Sequence, residues 1–442
     1  MQRDNYTFLT TAPIRKVILT LAGPSIIIML ASGMHNLVST FYVGRISTQA
    51  TAAVGLSFAF MSVIQAIGFL FGQGSGNFMS RALGAKKQED AEVMASTGFL
   101  YAIGCGLILT VAGLIFLRPL SLMLGSTPTI LPDTEKYLFW ILLGTPIMTG
   151  VMVLNNQLRF QGNAQFAMYG VIAGAVVNIV VSPLLIFVLD LGISGAGMGV
   201  FAGQSVSLAM LFWGLRRSGG IPIRFRCFSF KGFYFKEILA GGTPSLTRQG
   251  LASISVAMLN IAAAVYGDAA IAGMSIVGRV AFLIMSVVIG FGHGYQPMCG
   301  FCFGAGLYDR VKKGYWYIVK VGTFFLIVCA ILGIAFAEPL VLLFRNDPEV
   351  LAIGAVAMRW QMASLPFGAP VMYTNMLMQT TRRPIQANIL ASARSGIFFI
   401  PLILLLPHRY GLLGVQMCQT WADLLSFVLC IFITINGFRQ LK

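Results

Sequence analysis

Polar side chains interrupt the first and fifth long apolar runs of the chain at the spacing of one helical turn. His35 and Ser39 are four residues apart in the first run, as are Asn178 and Ser182 in the fifth. In a helix each pair lies on one face, where it could line a cavity or hydrogen-bond to a neighbouring helix. Histidine can carry a proton near neutral pH, whereas serine cannot. These four residues and Asn36 are therefore candidate substrate- or ion-binding residues.

Charged residues stand near mid-depth in four apolar runs of the second half: Arg248, Arg279, Arg394 and Asp423. An arginine at a helix centre costs about 2.5 to 3.5 kcal/mol on insertion scales, so each should face the interior, pair or meet a ligand. One interpretation is an Arg394–Asp423 pair that fixes helix packing. Arg248 and Arg279 lack an obvious acidic partner. They either hydrogen-bond to carbonyls and amides such as Gln379, or recognise an anionic or zwitterionic substrate.

Further polar candidates lie in the same apolar runs, and each could face a cavity or a neighbouring helix: Asn155, Gln204, Tyr373, Asn375 and Gln379. The motifs of membrane enzymes and pumps are missing. The three histidines, His35, His293 and His408, are not at metal-ligand spacing, and there is neither an HExxH nor a GxxxxGK[ST] sequence. The sequence therefore indicates no catalytic residue, metal or cofactor, and favours transport driven by an ion gradient or by the substrate's own gradient.

The composition is that of a polytopic membrane protein. Of 442 residues, 57% are hydrophobic and 10% are charged, and the mean hydropathy is +0.82. Twelve apolar runs exceed 18 residues, and at about 1.5 Å per residue each can cross a hydrocarbon core of roughly 30 Å. They are predicted at residues 14–43, 49–80, 91–117, 131–158, 164–189, 194–217, 237–266, 269–303, 311–337, 347–380, 384–407 and 411–438.

The distribution of basic residues predicts the topology. An even number of spans places both termini on one side, and most of the 30 Lys and Arg residues fall on that side. Both termini should therefore be cytoplasmic. The net charge of +16 is then explained by topology and by attraction to anionic membrane lipid, and no nucleic-acid partner is expected.

The chain repeats itself at an offset of 220 residues. Pro24 superposes on Pro244 and Gly84 on Gly304, and other glycines, prolines and an asparagine keep the same register without a gap. Two parallel six-helix repeats follow. The predicted boundaries are an N-terminal lobe at 1–217, a cytoplasmic connector at 218–236, which is basic and aromatic, and a C-terminal lobe at 237–442. Paired repeats around a midplane cavity are typical of secondary transporters.

Five segments together resemble a known family: GPSIIIMLASGMHNLVSTFYVGRISTQATAAVGL, FGQGSGNFMSRALGAKKQEDA, NIVVSPLLIFVLDLGISGAGMGVFAGQ, YGDAAIAGMSIVGR and FGHGYQPMCGFCFGAG. They look like the multidrug and toxic compound extrusion (MATE) transporters, in particular the DinF-like bacterial branch. The resemblance covers essentially the whole chain. It implies an all-α, V-shaped bundle of twelve transmembrane helices in two lobes that exports compounds in exchange for inward flow of H⁺ or Na⁺.

The chain departs from the family's usual pattern at two positions. Members usually carry an aspartate where this chain has Ser39, and another where Asn178 is followed by Ser182. A buried carboxylate is the simplest group that can exchange a proton or bind Na⁺ between two conformations. Its absence from both places leaves His35 as a candidate replacement proton carrier.

The sequence therefore predicts a secondary active exporter of small amphipathic organic compounds, acting as a monomer in the cytoplasmic (inner) membrane of a bacterium. Two alternatives remain open. One is a flippase for lipid-linked precursors, which would favour a basic cavity. The other is a membrane receptor or assembly subunit that transports nothing.

Overall fold

The computed structural model describes residues 5–439, apart from the side chains of residues 34–37. Every regular element in this part of the chain is helical, as the sequence predicts. Twelve long helices form the bundle: α1 (Ile14–Gly44), α2 (Thr48–Gly84), α3 (Gln88–Ile115), α4 (Leu131–Phe160), α5 (Ala164–Pro183, continued by Leu184–Val188), α6 (Gly192–Arg217), α7 (Gly232–Ala264), α8 (Asp268–Gly304), α9 (Tyr308–Ala335), α10 (Pro348–Thr380), α11 (Pro384–Ser392, continued by Ala393–Ile397 and Phe399–Tyr410) and α12 (Leu412–Arg439). Short helices lie at Asn5–Thr11, Leu117–Met123 and Ala337–Leu342.

Eleven of these helices are long and apolar enough to cross a membrane. The remaining long helix is α7. It has 33 residues and is about 50 Å long, but polar residues in its middle, including Arg248, lower its hydropathy. It nevertheless packs like a spanning helix. It contacts α11 and α2, just as α1 contacts α5 and α8.

Helix α7 begins at Gly232, five residues before the predicted start at 237. The reason lies in its first turn, where the rings of Phe233 and Tyr234 pack edge-on against Phe78 of α2, with centroids 6.1 Å apart. The connector between the halves is correspondingly shorter, and it contains a single 3₁₀ turn at Phe225–Cys227.

The packing of the first six helices is repeated in the last six. Helix α4 contacts α2, α3 and α6, as α10 contacts α8, α9 and α12, and the α5–α6 pair recurs as α11–α12. The duplication predicted from the 220-residue offset is therefore present in the fold.

Two helices that were expected to be uninterrupted contain a widened turn. In α5 the amide of Leu189 donates to the carbonyl of Leu184 at 3.0 Å, and in α11 the amide of Phe398 donates to the carbonyl of Ala393 at 3.1 Å. Such i to i+5 turns re-aim the side chains around them. The turn in α11 carries Arg394, which is one of the predicted site residues.

Glycines allow the two halves to approach closely at the end of the bundle where the chain termini lie, which we call the terminal end. A β-carbon on Gly84 would overlap the carbonyl of Phe301, and one on Gly304 would overlap the carbonyl of Arg81, a residue pair related by the 220-residue offset. Gly290 of α8 likewise packs on Ile26 of α1, where a β-carbon would lie 2.7 Å from the Cα atom. Backbone contacts of this kind require residues without a side chain.

Candidate functional site

The halves pack together along α8 towards the terminal end, and the same face of α8 is exposed further from that end; we interpret the exposed region as a cleft between the halves. Arg279 and Gly290 of α8 are eleven residues apart, about three turns, and so lie on one face of the helix. Gly290 packs on α1, whereas Arg279 is exposed and Phe282 is 59% exposed. Within the described residues Arg279 forms no ion pair. The same face of α8 therefore packs against the other half at the terminal end and is exposed beyond it.

A buried contact between an arginine and a neutral histidine, the Arg159–His293 contact, joins the halves at the base of this cleft. Nη1 of Arg159 on α4 lies 2.9 Å from Nδ1 of His293 on α8, and both residues are 2% exposed. Nη2 of Arg159 donates to Oδ1 of Asn156 at 2.6 Å, and this oxygen also accepts from Nε2 of Gln73 at 3.0 Å. Arginine has no acceptor, so Nδ1 of His293 accepts and the neutral ring carries its proton on Nε2.

The terminal end is closed by a second polar network. Glu237 of α7 pairs with Arg81 of α2 at 3.1 Å and with Arg382, which follows α10. Arg81 also donates to the carbonyl of Thr380, and the Thr380 hydroxyl donates to Oδ1 of Asn77 at 2.8 Å. Side chains of both halves are thus joined at the terminal end by ion pairs and hydrogen bonds, in addition to the Arg159–His293 contact.

A buried carboxylate lies within the C-terminal half. Asp423 of α12, whose side chain is 1% exposed, pairs with Nε of Arg394 at 2.7 Å. It also accepts from Nε2 of Gln419 at 2.8 Å and from the hydroxyl of Ser364 at 3.0 Å. The predicted Arg394–Asp423 pair is present, and the widened turn of α11 positions it.

Asn155 and Asn375 play equivalent parts in the two halves. Nδ2 of Asn155 donates to the carbonyl of Ala167, and Nδ2 of Asn375 donates to the carbonyl of Ala387, a pair displaced by 220 residues. Oδ1 of Asn375 additionally accepts from Nη1 of Arg248 at 3.0 Å. The amide therefore fixes helix packing in both halves and holds a guanidinium group in the second.

The polar residues of α1 and α5 meet in the N-terminal half. The hydroxyl of Ser39 donates to Oδ1 of Asn178 at 3.4 Å, and Nδ2 of Asn178 is buried without a partner among the described residues. Ser182 is 4% exposed and lies against Gly199 of α6. These contacts join α1, α5 and α6.

The remaining predicted residues differ in burial and in their partners. Gln379 donates to the carbonyl of Gly241 and to Ser245, which ties α10 to α7. Tyr373 is fully buried, and Gln204 is half-buried on α6. The side chains of His35 and Asn36 lie outside the described residues, so their roles stay predictions.

Sequence reasoning missed Arg159 and His293 as site residues. Arg159 follows directly on the predicted span 131–158, so hydropathy counts it among the basic residues outside the membrane, and the spacing of His293 from the other histidines argues only against a metal site. The internal repeat contained a signal, because a shift of 220 residues places Arg159 on Gln379 and His293 on Gln73. Arg159 and His293 stand where the other half has the amides Gln379 and Gln73, and so they break the symmetry of the two halves.

A duplicated bundle of membrane-spanning helices, with buried polar and charged groups around a cleft between its halves, defines the chain as a secondary transporter. The family model called MatE matches residues 24–184 and again residues 244–405. The chain belongs to the MatE family, and the two matches coincide with the two repeats.

The chain is similar along nearly its whole length to named relatives. The multidrug export protein MepA of Staphylococcus aureus strain N315 is 26% identical over 436 residues, which cover 97% of this chain and 94% of the relative. The protein of the same name from Staphylococcus haemolyticus is 26% identical over 439 residues, with 98% and 95% covered.

Solved structures share the fold. A multidrug resistance MATE family transporter in an outward-facing conformation has a TM-score of 0.93 at 23% identity, with 100% of this chain and 99% of that chain covered. A MOP superfamily transporter from Pyrococcus furiosus, which is described as having a binding pocket of reverse polarity, has a TM-score of 0.90 at 23% identity, with 100% and 98% covered.

Proposed function

We propose that this protein exports small amphipathic organic compounds from a bacterial cytoplasm by alternating access. The observation that carries this proposal is the cleft between the repeated halves, which is closed by side chains of both halves at the terminal end. The names of the MepA relatives, which are multidrug export proteins, support the substrate class. A monomer suffices in this proposal, because the cleft and its closure are formed by one chain.

The two halves rock against each other as the lobes expected at 1–217 and 237–442. With both termini in the cytoplasm, as the basic residues predict, the closed end faces the cytoplasm and the cleft opens outward. Export then requires the terminal end to open, so that a compound can enter the cleft from the cytoplasm, and afterwards to close again.

Coupling to H⁺ or Na⁺ is assigned to the Arg394–Asp423 pair. Among the described residues, Asp423 and Glu237 are the buried carboxylates, and Glu237 belongs to the closure at the terminal end. A carboxylate that is paired in one conformation and hydrated in another can exchange a proton or bind Na⁺ as a counter-charge. Asp423 thus serves as the ion-coupling residue, which Ser39 and Ser182 cannot do because serine carries no titratable carboxylate.

The substrate is proposed to be anionic or zwitterionic. Arg248 and Arg279 form no ion pair within the described part of the chain, and Arg279 is exposed in the cleft. Unpaired guanidinium groups attract carboxylates and repel cations. The reverse polarity described for the pocket of the Pyrococcus furiosus transporter supports the idea that this fold can carry pockets of differing charge.

Efflux from proteoliposomes under an imposed proton or sodium gradient tests the export function. We expect concentrative export of a fluorescent organic anion under at least one gradient, with a weaker preference for anions over cations in Arg248→Ala and Arg279→Ala. Absence of efflux under both gradients would contradict export. An unchanged preference in both variants would contradict the assignment of substrate charge alone.

A further inference from the structure

The charged groups at the base of the cleft lack a counter-charge. Arg159 and Arg248 are both cationic, and the four ion pairs of the described residues involve other arginines: Arg81, Arg359, Arg382 and Arg394. Arg248 is half-buried and is held by Asn375. The neighbouring Met376 packs on Gly292, the residue before His293, so Arg248 and Arg159 lie near the same segment of α8. Buried charges are ordinarily paired, because moving an isolated ion out of water is costly.

Two buried donors in this cluster are also without partners. Nε of Arg159 makes no hydrogen bond within residues 5–439, and neither does Nε2 of His293. Nδ1 of His293 is occupied by Arg159, so the free Nε2 carries the ring proton. Leaving two buried N–H groups without acceptors beside two positive charges is unfavourable. A negatively charged acceptor would accept hydrogen bonds from both N–H groups and would counter the charge of both guanidinium groups.

We propose that Arg159, Arg248 and His293 form a binding site for a monovalent anion between the two halves. The anion accepts hydrogen bonds from Nε of Arg159 and Nε2 of His293, and it neutralises part of the charge of both arginines. Asn156 and Asn375 position the guanidinium groups, since each accepts from one of them.

The site exists when the terminal end is closed, because α4 supplies Arg159 and α8 supplies His293. Occupancy therefore stabilises the closed arrangement. Two sources share the required chemistry: the carboxylate of an organic substrate in the cleft, or a small free anion such as chloride. The first source rests on the proposed export function, whereas anion binding itself does not.

Binding of radiolabelled benzoate to the purified full-length protein tests the site, with chloride, acetate and the neutral analogue benzamide as competitors. We expect saturable benzoate binding that benzamide does not displace. The affinity should weaken by about tenfold or more in Arg159→Gln, which loses a charged hydrogen bond, and in Arg248→Gln, which loses a neighbouring positive charge. Arg118→Gln, which changes an exposed arginine outside the cluster, should bind as the wild type does.

The competitors identify the source of the anion. Benzoate that binds much more tightly than acetate and chloride indicates the carboxylate of an amphipathic substrate, whereas equal potency of all three indicates a small free anion. If the ligand is a small free anion, direct binding of radiolabelled chloride to the same wild-type and variant proteins replaces the measurement with benzoate. The proposal is overturned if neither labelled anion binds saturably, or if folded Arg159→Gln and Arg248→Gln proteins both bind like the wild type. Because no transport is measured, that result would leave the export function standing.

Discussion

Nη1 of Arg159 lies 2.9 Å from Nδ1 of His293 across the surface where the two halves meet, and both side chains are 2% exposed. The contact joins α4 to α8 and can persist only while the terminal end is closed. Opening the terminal end must therefore separate these side chains and hydrate the guanidinium group. A buried charge is thus part of the closure that alternating access has to undo.

The glycines at the crossing of α2 and α8 should control how closely the halves approach. In Gly304→Ala the new methyl group meets the carbonyl of Arg81, so we expect a loss of about 1 to 3 kcal/mol in stability from overpacking. Thermal unfolding of the purified protein measures this effect. Gly55→Ala on α2 is the matched control, because nothing lies within 4 Å of its β-carbon, and it should leave stability equal or slightly higher. Equal melting temperatures for Gly304→Ala and the wild type would argue against the close approach.

The carboxylate of Glu237 should hold the terminal end closed. In Glu237→Gln the ion pairs with Arg81 and Arg382 are lost. Breaking the buried pair with Arg81 costs on the order of 3 kcal/mol, whereas Arg382 is 58% exposed and its pair adds little. The native Cys299 and Cys302 are 0% exposed at this end, so they report opening through their rate of maleimide labelling. We expect faster labelling of these two cysteines, resolved by peptide mass spectrometry.

Glu338→Gln is the control for that experiment, because Glu338 and its partner Arg359 are exposed by 57% and 48%. Loss of such a surface pair changes little. Equal labelling of Cys299 and Cys302 in Glu237→Gln and in the wild type would show that Glu237 does not maintain the closure.

Removal of the Asp423 charge should uncouple transport from the ion gradient. Asp423→Asn keeps the shape of the side chain but can neither release a proton nor counter a Na⁺ ion. We expect efflux that no longer accelerates when a proton or sodium gradient is imposed on proteoliposomes, while downhill movement of the substrate continues. A gradient response equal to that of the wild type would exclude Asp423 as the coupling residue.

The two equivalent asparagines offer a test matched by symmetry. Asn375→Ala and Asn155→Ala each lose a hydrogen bond to the carbonyl of a neighbouring helix. Asn375→Ala also loses the hydrogen bond that positions the guanidinium group of Arg248. If Arg248 serves anionic substrates, efflux of a fluorescent organic anion should fall by about tenfold more in Asn375→Ala, the size expected for a charged hydrogen bond. Similar losses in the two variants would assign both asparagines to packing alone.

Most of the architecture could be predicted from the sequence because hydropathy and the internal repeat are properties of the chain itself. The twelve long helices are present near their predicted positions, and the 220-residue offset reappears in bonds such as Asn155 to Ala167 and Asn375 to Ala387. The start of α7 was placed five residues too late, since its first turn is held by ring contacts with Phe78 that hydropathy does not reveal.

The candidate site was predictable only in part. The Arg394–Asp423 pair followed from two opposite charges at similar depth in neighbouring helices. Arg159 was placed outside the membrane because it stands at the end of its span, and nothing in the hydropathy of α4 shows that this end is buried against the other half. Contacts between halves depend on how the repeats dock, and a single sequence does not encode that docking in any periodic pattern.

A reversible covalent bridge across the terminal end tests alternating access most directly. The hydroxyl of Thr380 donates to Oδ1 of Asn77 at 2.8 Å, so Asn77→Cys and Thr380→Cys in a cysteine-free protein place two thiols within reach of a short bifunctional methanethiosulfonate reagent, which joins them through disulfide bonds. We predict that the bridged protein loses efflux in proteoliposomes and regains it when a reducing agent cleaves the bridge, whereas the two single-cysteine proteins treated alike remain active. Full efflux by the bridged protein would contradict the account, because the halves would then transport without separating at this end.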